Sequence, residues 1–393
     1  MSFEILETET RGTIIKVVGV GGAGGNAVQH MIARGVQGVE FICANTDHQA
    51  LARSSSKNIL QLGKTGLGAG SRPEAGRAAA EEARDRIADA LRGAHMVFIT
   101  AGMGGGTGTG AAPVFAEIAK DLGILTVAVV SKPFEFEGPK RMKLAEAGVT
   151  QLEDTVHSLI VILNNKLEEV MGEDAEMAEC FRAADDVLHN ACAGIAEIIN
   201  VPGLVNVDFE DVKTVMSEQG KAMMGTALAS GLDRARIAAE QAVASPLLEG
   251  VDLSGARGVL VNITASSSLK MKETREVMNT IRAFAADDAT VIFGTVCDET
   301  IGDGLRVTVV ATGLGRAASK KQSTPFTVVR TGTDNAPLTV PVAGSHASSS
   351  DYSDFEKPAI WRTRDSAQTR VAAMEDTGSD RYDIPAFLRK QAD

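Results

Sequence analysis

Glycine and threonine alternate in one short stretch of the chain, residues 101–113. This stretch supplies several flexible backbone positions and two hydroxyl groups, from Gly102, Gly104, Gly105, Gly106, Gly108 and Gly110, and from Thr107 and Thr109. An apolar run at 95–100 precedes it and a helical pattern at 111–120 follows it. A strand, a glycine turn and a helix start aim a row of backbone N–H groups at one point, which favours binding of an anion, above all phosphate. The alternative of a flexible linker fits poorly between a buried type of strand and a helix.

A second glycine segment, residues 21–26, lies between a strand pattern at 14–20 and a helical pattern at 27–34. Gly19, Gly21 and Gly24 match the dinucleotide fingerprint G-x-G-x-x-G, and Asp47 follows the next strand, where that fingerprint needs an acid. A dinucleotide-dependent oxidoreductase is therefore one hypothesis. Two glycine segments favour a nucleoside triphosphate instead, because one pyrophosphate needs only one such loop. The motif G-x-x-x-x-G-K-[ST] does not occur, which excludes a Walker-type NTPase.

A third glycine-rich segment, Gly66 to Arg72, follows a strand-like run at 58–62. It could close over a terminal phosphate, or it could be a simple turn. Glu137 and Arg141 stand four residues apart at the start of a helix that follows another strand. They could form only a surface ion pair, or they could reach the ribose and the phosphate or sugar of a nucleotide.

Two further sets of carboxylates are candidates for base recognition and for hydrolysis. Asp185 and Asp186 lie in a long helical pattern, where a carboxylate could accept hydrogen bonds from guanine N1–H and N2–H; spacing alone favours a solvated helix face. Asp208 and Asp211 have the spacing of a helix N-cap and its third residue, which is a sufficient structural explanation. However, neither glycine segment carries a carboxylate to orient a water, so a hydrolase must find one elsewhere.

The elements that must position these residues alternate between strand and helix over 12–175. Continuous apolar strands predict a parallel sheet covered on both faces, with ligands at the carboxyl ends of the strands. The strand patterns are 14–20, 41–46, 58–62, 95–100, 125–131 and 158–163, with helices at 73–91 and 139–156 among those between them. A long helix at 178–200 would bridge two domains. The second domain shows strand patterns at 221–229, 258–265, 289–297 and 305–312 and helices at 235–248 and 270–287, and reads as scaffold and interface.

Composition supports this organisation and argues against several classes of protein. The chain has 393 residues and a formal charge of −12, which disfavours binding to nucleic acid and gives no attraction to anionic lipid. Four scattered cysteines are typical of buried free thiols in a reducing cytoplasm: Cys43, Cys180, Cys192 and Cys297. The N-terminal residues carry acids and no apolar core, so we expect no signal peptide. No uncharged apolar run is long enough to span a membrane, so we expect no membrane insertion.

The C-terminal part differs in composition from the rest. Residues 316–380 are rich in Ser, Thr, Ala, Pro and Gly without sustained periodicity, which predicts a disordered linker. At the end, Ile384, Phe387 and Leu388 recur at helical spacing beside Arg389 and Lys390. An apolar stripe after a polar tail indicates a docking peptide that folds in a partner's groove; the alternative is a segment that packs on its own domain.

Several of these motifs together resemble the tubulin/FtsZ family of GTPases. The runs GGGTGTG at 104–110 and GVGGAGGNAV at 19–28 are similar to the nucleotide loops of the family's FtsZ branch. The resemblance continues through Asn45 to Asp47, Gly66 to Gly70, Pro133 to Met142, Ala184 to Leu188, Asn206 to Val212 and the C-terminal DIPAFLRKQAD. It covers the chain except for the region around 316–380.

The resemblance implies a fold and a set of domains. The fold would be α/β: a parallel Rossmann-like GTPase domain, a long central helix and a second α/β domain with a smaller mixed sheet, followed by the linker and the docking peptide. The boundaries we expect are a flexible N-terminus at 1–11, the GTP-binding domain at 12–177, the central helix at 178–200, the second domain at 201–315, the linker at 316–380 and the peptide at 381–393.

It also implies roles for individual residues. Nucleotide binding would fall to Gly22, Ala23, Gly24, Gly25, Asn26, Gly106, Thr107, Gly108, Glu137, Arg141, Phe181 and Asp186, with Asp186 reading the guanine and Phe181 packing against it. Asn206, Asp208 and Asp211 would complete the γ-phosphate site of the next subunit in a head-to-tail filament. Asp185 stands where relatives often carry Asn, which leaves its role open.

The implied ligands and partners follow from these roles. GTP or GDP would bind with Mg²⁺ held mainly by phosphate oxygens and water, and without a dedicated protein metal site. Ile384, Pro385, Phe387 and Leu388 would bind membrane tethers and regulators of a cytoplasmic division ring at mid-cell, beneath the inner membrane. A nucleotide-binding regulator without turnover remains an alternative to a GTPase.

Overall fold

The computed structural model describes residues 12–172, 174–201, 203–218, 220–245, 256–286 and 289–314. The chain divides into two compact units, Met1–Ser323 and Thr324–Asp393. The second unit, the predicted docking peptide and the whole of the predicted linker at 316–380 lie outside the described residues.

Six parallel strands form the first part of a sheet. In spatial order they are β3 (Asn58–Gln61), β2 (Val39–Asn45), β1 (Ile15–Val20), β4 (Met96–Gly102), β5 (Leu125–Lys132) and β6 (Ser158–Leu163). All residues of β1 are buried, as expected for the centre of a sheet covered on both faces. The predicted parallel sheet is confirmed, and its strand bounds differ from the prediction by no more than two residues.

Four strands in mixed orientation extend the same sheet to ten strands. After β6 come β7 (Gly220–Ser230), β10 (Gly304–Leu314), β8 (Gly258–Ala265) and β9 (Thr290–Cys297). β10 is antiparallel to both β7 and β8, whereas β9 is parallel to β8. β7 joins the parallel part only where residues 220–222 pair with 158–160 of β6. The mixed part is therefore the smaller sheet that was predicted, attached along a short seam.

The helices cover both faces of the sheet. Their bounds are α1 (Gly21–Ala33), α2 (His48–Ala52), α3 (Pro73–Glu82), α4 (Arg84–Leu91), α5 (Thr107–Asp121), α6 (Pro139–Thr155), α7 (Asn164–Met171), α8 (Met177–Asn200), α9 (Phe209–Met216), α10 (Arg234–Val243) and α11 (Met271–Arg282). The prediction of one helix over 73–91 was wrong, since two helices meet at Ala83. α10 and α11 each end five residues before their predicted ends.

Both glycine segments are more helical than their sequences suggest. α1 begins at Gly21 rather than Ala27, and α5 begins at Thr107 rather than Ala111. Glycine disfavours a helix interior by about 1 kcal/mol per residue, so propensity predicts a loop in both places. Packing against the neighbouring strands overrides that preference, and each helix begins directly where a strand or its short turn ends.

α8 lies between the parallel and the mixed parts of the sheet. Its 24 residues bury one face, which includes Leu188, Cys192 and Ile195, against a core shared by both parts. On the mixed side, Asn262 Nδ2 donates to the Gly194 carbonyl at 3.1 Å and Arg306 pairs with Glu197 at 3.3 Å. The predicted bridging helix is thus in place, while the domain boundaries drawn on either side of it remain a prediction.

Among the described residues, no helix is long and apolar enough to cross a membrane. The cysteines are free thiols, and three of them are buried as predicted. Cys297 is exposed, contrary to the prediction, because it is the last residue of β9, the strand at the open edge of the sheet.

Candidate nucleotide site

The two glycine segments meet because their strands are neighbours. β1 and β4 pair in parallel with Val20 opposite Ala101, so both end at the same level of the sheet. α1 and α5 begin there, capped by Val20 and Gly106, which have no side-chain oxygen to offer. Their first turns contain only glycine, alanine and threonine. Two electropositive helix ends with free N–H groups therefore face one spot, as phosphate binding requires.

Some glycines in these segments are needed for backbone packing. A Cβ at Gly24 would stand 2.3 Å from the Thr100 carbonyl oxygen, and one at Gly108 would stand 2.5 Å from that of Gly102. Gly21 has φ +78° and lies against the Gly108 nitrogen. These three glycines allow the two segments to interlock.

Other glycines face open space. A Cβ at Gly22, Gly25 or Gly105 would have no heavy atom within 4 Å among the described residues. Gly22 is exposed and Gly25 and Gly105 are half-buried, so this is the open side of the interlocked pair, from which an anion can approach the helix starts.

The two threonines of the second segment have different roles. Thr109 is buried, and its Oγ1 accepts a hydrogen bond from the Gly104 N–H at 2.8 Å, which fixes the turn. Thr107 shares a hydrogen bond of 2.6 Å with the hydroxyl of Thr46, just after β2. The Thr107 hydroxyl is thus held at the helix start by a partner from a third segment.

The third glycine-rich segment packs on the second one. The His48 N–H donates to the Gly66 carbonyl at 3.0 Å, and the Gly68 N–H donates to the Thr46 carbonyl at 3.0 Å. A Cβ at Gly106 would stand 2.9 Å from the Cβ of Ala69. This position beside the α5 start is compatible with closing over a terminal phosphate, one of the two alternatives that the sequence leaves open.

A cavity of about 280 Å³ opens beside the α1 start. The predicted site residues on its wall are Gly22, Ala23, Asn26, Glu137, Arg141 and Phe181. Other wall residues include Lys132, Asn164, Asp185 and Leu188. Gly24 instead packs against the backbone of β1 and β4. Gly25 lines a smaller neighbouring cavity of about 140 Å³, together with Gly22 and Asn26. Gly106, Thr107 and Gly108 form the α5 start next to the larger cavity.

Glu137 and Arg141 form the predicted ion pair at the mouth of this cavity. Arg141 Nη1 lies 2.9 Å from Glu137 Oε2, while Glu137 Oε1 accepts the Phe134 N–H at 2.9 Å. The Glu137 side chain is 13% exposed and that of Arg141 is 50% exposed. Glu137 is therefore held in place, while Arg141 has room to move towards a ligand.

Phe181, on the first turns of α8, also lines the cavity. Its ring meets that of Phe134 edge-on, with 5.3 Å between the centroids, and it remains 43% exposed. A half-exposed aromatic ring beside an open cavity can pack against a planar base.

Asp185 and Asp186 point in different directions, and only Asp185 lines the cavity. Asp186 instead accepts hydrogen bonds from His30 on α1, at 2.8 Å, and from Arg34, the residue that follows α1. The pKa of Asp185 is raised to about 6, mainly by burial; His30 opposes the shift and the nearby Asp186 carboxylate adds to it. That Asp186 reads the base stays a prediction, and Asp185 becomes a second candidate for the same role, since adjacent residues of a helix point about 100° apart and Asp185 faces the cavity.

Asn164 is a site candidate that the sequence interpretation missed. It begins α7 directly after β6, and its Oδ1 is buried without a hydrogen-bond partner among the described residues. Since a buried polar atom is costly to leave unpaired, this atom points to a ligand group in the cavity. A signal was present in the sequence, because Asn164 follows a parallel strand at its carboxyl end.

The predicted catalytic residues lie at the other end of the molecule. Roughly 22 Å of helix separate Asp185 from the end of α8 at Asn200, at about 1.5 Å per residue. Asn200 Nδ2 donates to the carbonyl of Gly38, which precedes β2, and Phe209 contacts His95, which precedes β4. The segment after α8 thus lies at the amino ends of the strands, opposite the cavity.

Within that segment the three predicted residues are exposed. Asp208 caps α9, as predicted, and accepts the Asp211 N–H at 2.8 Å. The Asn206 Oδ1 accepts the Gly203 N–H at 2.7 Å. The carboxylate of Asp211 has no such structural bond among the described residues, which leaves it free to act on an external group.

Among the described residues, no three or more His, Cys, Asp or Glu side chains are grouped so as to hold a metal ion. Ile384, Pro385, Phe387 and Leu388 lie outside the described residues.

Family comparisons agree with this geometry over most of the chain. The profile described as the Tubulin/FtsZ family, GTPase domain, matches residues 14–172, and that of the FtsZ family, C-terminal domain, matches residues 220–315. The first covers both glycine segments and the Glu137–Arg141 pair, and the second covers the mixed part of the sheet.

Similar proteins and some similar solved structures carry the FtsZ name, and another structure shares the fold. The chain is 53% identical to the cell division protein FtsZ of Coxiella burnetii over 393 residues, 99% of each chain. It is also 53% identical to the protein of that name from Pseudomonas aeruginosa, over the full length of both. An empty FtsZ dimer of M. jannaschii superposes with a TM-score of 0.74 at 42% identity, covering 78% of this chain and 89% of that one. A GTPγS-bound protofilament of CetZ2 from Haloferax volcanii, at 20% identity and a TM-score of 0.65, shares the fold.

Proposed function

The chain belongs to the FtsZ family of tubulin-like GTPases, and from that premise we propose that it assembles head-to-tail into filaments that hydrolyse GTP between subunits and scaffold the cell-division ring. The observation that carries the proposal is the separation of two half-sites. A nucleotide cavity lies at the carboxyl ends of the parallel strands, and a carboxylate-bearing loop lies at their amino ends.

The cavity end supplies binding. The free N–H groups at the starts of α1 and α5 face the phosphates, and Thr107 offers a hydroxyl to the terminal phosphates. Glu137 accepts from the ribose hydroxyls, with Arg141 free to pair with phosphate or sugar. Mg²⁺ bound with the nucleotide would supply charge neutralisation of the phosphates, held mainly by their oxygens and by water.

The base lies between Phe181 and the polar groups of the cavity wall. We assign guanine recognition to Asp185, whose carboxylate faces the cavity and can accept from both N1–H and N2–H. Adenine cannot offer that pair of donors. The unpaired Oδ1 of Asn164 is a further acceptor within the same wall.

The loop end supplies hydrolysis to a neighbour. Since α8 keeps Asn206, Asp208 and Asp211 far from the cavity of their own chain, only a second subunit stacked on the cavity can bring such a loop to the γ-phosphate. There an exposed carboxylate orients the attacking water. A contact between unlike ends of the same molecule leaves one end of each subunit open, and where the rotation between subunits does not close a ring it produces a filament.

The deciding experiment is GTP turnover per chain, measured against protein concentration with Mg²⁺. The shared site predicts negligible turnover below a threshold and a constant value per chain above it. Constant turnover down to high dilution would mean that each chain carries its own catalytic residues, and the role of the loop would be refuted.

A pH experiment tests Asp185. Guanine binding requires the charged carboxylate, so GTP affinity is expected to fall as the pH decreases through about 6, where burial places the pKa of Asp185. In the nucleotide-free protein the sign is opposite: a raised carboxyl pKa means that folding takes up a proton, so this group's contribution to stability decreases as pH rises from about 4 to about 6.

Asp185→Asn is the matched variant for both measurements. It should lose GTP affinity by about 10- to 100-fold at neutral pH, because a charged hydrogen-bond acceptor is removed. The ratio of the wild-type and variant GTP affinities reports the pH dependence due to Asp185 alone, because protonation of the GTP phosphates affects both proteins equally. Asn also pairs with xanthine, so the variant should bind xanthosine triphosphate better than the wild type does. A ratio independent of pH would contradict the assignment.

The cellular part of the proposal rests on the family and on the C-terminal sequence. Ile384, Pro385, Phe387 and Leu388 would bind membrane tethers and division regulators, placing the filaments in the cytoplasm at mid-cell, beneath the inner membrane. Removal of residues 381–393 is expected to leave GTP turnover unchanged and to abolish recruitment of filaments to tether-bearing membranes.

A further inference from the structure

The loop between α8 and α9 is held against the edge strand β9 at Thr295. Val205 forms an isolated antiparallel bridge with Thr295. The Thr295 N–H donates to the Val205 carbonyl at 3.0 Å, and the Val205 N–H donates to Thr295 Oγ1 at 2.8 Å. One threonine thus satisfies both backbone groups of a loop residue that directly precedes Asn206.

The Thr295 carbonyl meets the loop at a second point. A Cβ at Gly203 would stand 1.6 Å from that oxygen, so only glycine allows the loop to pass there. The Gly203 N–H in turn donates to Asn206 Oδ1 at 2.7 Å. Thr295 therefore contacts both sides of the turn that orients the Asn206 side chain.

The sheet keeps Thr295 itself in place. Its residue is 4% exposed, and it pairs in parallel with Ile263 of β8, on the opposite side of β9 from the loop. The neighbouring Gly294 lies close to Val207, so a Cβ there would stand 3.1 Å from that side chain. The conformation of the loop between α8 and α9 is therefore fixed by its contacts with β9, which is itself held in the sheet.

We propose that Thr295 is a positioning residue for GTP hydrolysis, holding residues 203–208 in the shape that presents Asn206 and Asp208 to the neighbouring subunit's γ-phosphate. The inference rests on the proposed hydrolysis between subunits. Thr295 is buried, so it acts through the loop and touches no substrate.

The test is Thr295→Val in the full chain, above the assembly threshold. Valine keeps the shape and removes the acceptor of the Val205 N–H, so the loop loosens while β9 stays paired. Turnover per chain is expected to fall about 5- to 20-fold, with KM and the GTP affinity of the monomer within about two-fold of wild type. Thr295→Ser, which retains the hydroxyl, should restore turnover. Thr290→Val, exposed at the start of the same strand, is the matched control and should behave as wild type.

Hydrogen exchange gives a readout of the loop itself. The Val205 amide should exchange faster in Thr295→Val and remain protected in Thr290→Val. Unchanged turnover in Thr295→Val would overturn the proposal, as would a loss that merely follows lost GTP affinity or filament mass, or a failure of serine to restore it.

Two further measurements distinguish a failure of this proposal from a failure of assembly or of the proposed catalytic loop. If Thr295→Val assembles poorly alone, it is mixed into wild-type filaments, where turnover must fall in proportion to its fraction because each loop serves the next subunit. Asp211→Ala is measured in parallel. Full activity of Asp211→Ala would refute the catalytic role of the loop, whereas an inactive Asp211→Ala beside a fully active Thr295→Val would refute only the positioning role.

Discussion

Substitution of Asp211 by alanine is expected to reduce GTP turnover by about 10²- to 10⁴-fold, the usual range for loss of a group that orients or activates the attacking water. GTP binding by the monomer should be unchanged, because the cavity lies at the opposite end of α8. The variant separates chemistry from folding well, since Asp211 contributes its backbone N–H, and not its carboxylate, to the Asp208 cap. Turnover by filaments and GTP affinity of monomers are the two measurements.

Glu210→Ala is the control for that variant. Glu210 is the neighbouring carboxylate in the first turn of α9, and it forms a surface pair with Lys213 at 3.2 Å. An exposed pair of this kind contributes little to stability. We expect wild-type turnover from Glu210→Ala, and equal losses in both variants would indicate a general charge effect on assembly instead of a catalytic carboxylate.

Gly22→Ala is expected to weaken GTP binding by about 10- to 100-fold, because the new methyl group occupies the approach to the α1 N–H groups and displaces charged hydrogen bonds. Without nucleotide, the variant should be as stable as wild type or more stable by up to about 1 kcal/mol, since alanine favours a helix over glycine. The open space around Gly22 makes this combination possible.

Gly24→Ala is the matched contrast, two residues along the same helix. Its Cβ would stand 2.3 Å from the Thr100 carbonyl oxygen, which forces α1 away from β4. Such overpacking costs about 1–3 kcal/mol or more. Thermal unfolding with and without GTP distinguishes the two variants. A loss of nucleotide-free stability in Gly22→Ala would contradict the assignment of that glycine to the ligand side.

The sequence predicts the fold well where its signals are local. Apolar strand runs, the α8 periodicity and the Asp208 cap all depend on residues a few positions apart, and each is found where the pattern places it. The prediction placed the helix starts too late at the glycine segments. Helix propensity at Gly21 to Asn26 favours a loop, whereas packing against β4 makes these residues helical.

The site was predicted less completely because its residues are selected by direction in space. Asp185 and Asp186 are adjacent and chemically alike, so only the bonds of Asp186 to His30 and Arg34 show which carboxylate is left to face the cavity. Thr295 is one of several threonines in strand patterns, and only its contact with Val205 distinguishes it.

By itself, then, the sequence determines the elements, the phosphate-binding segments and the presence of carboxylates without a local partner. Only the tertiary structure decides that the residues proposed for binding and those proposed for hydrolysis lie at opposite ends of one chain. The physical reason is the rigidity of α8: a 24-residue helix with one face packed in the core cannot fold back, so it fixes a separation that no sequence spacing expresses.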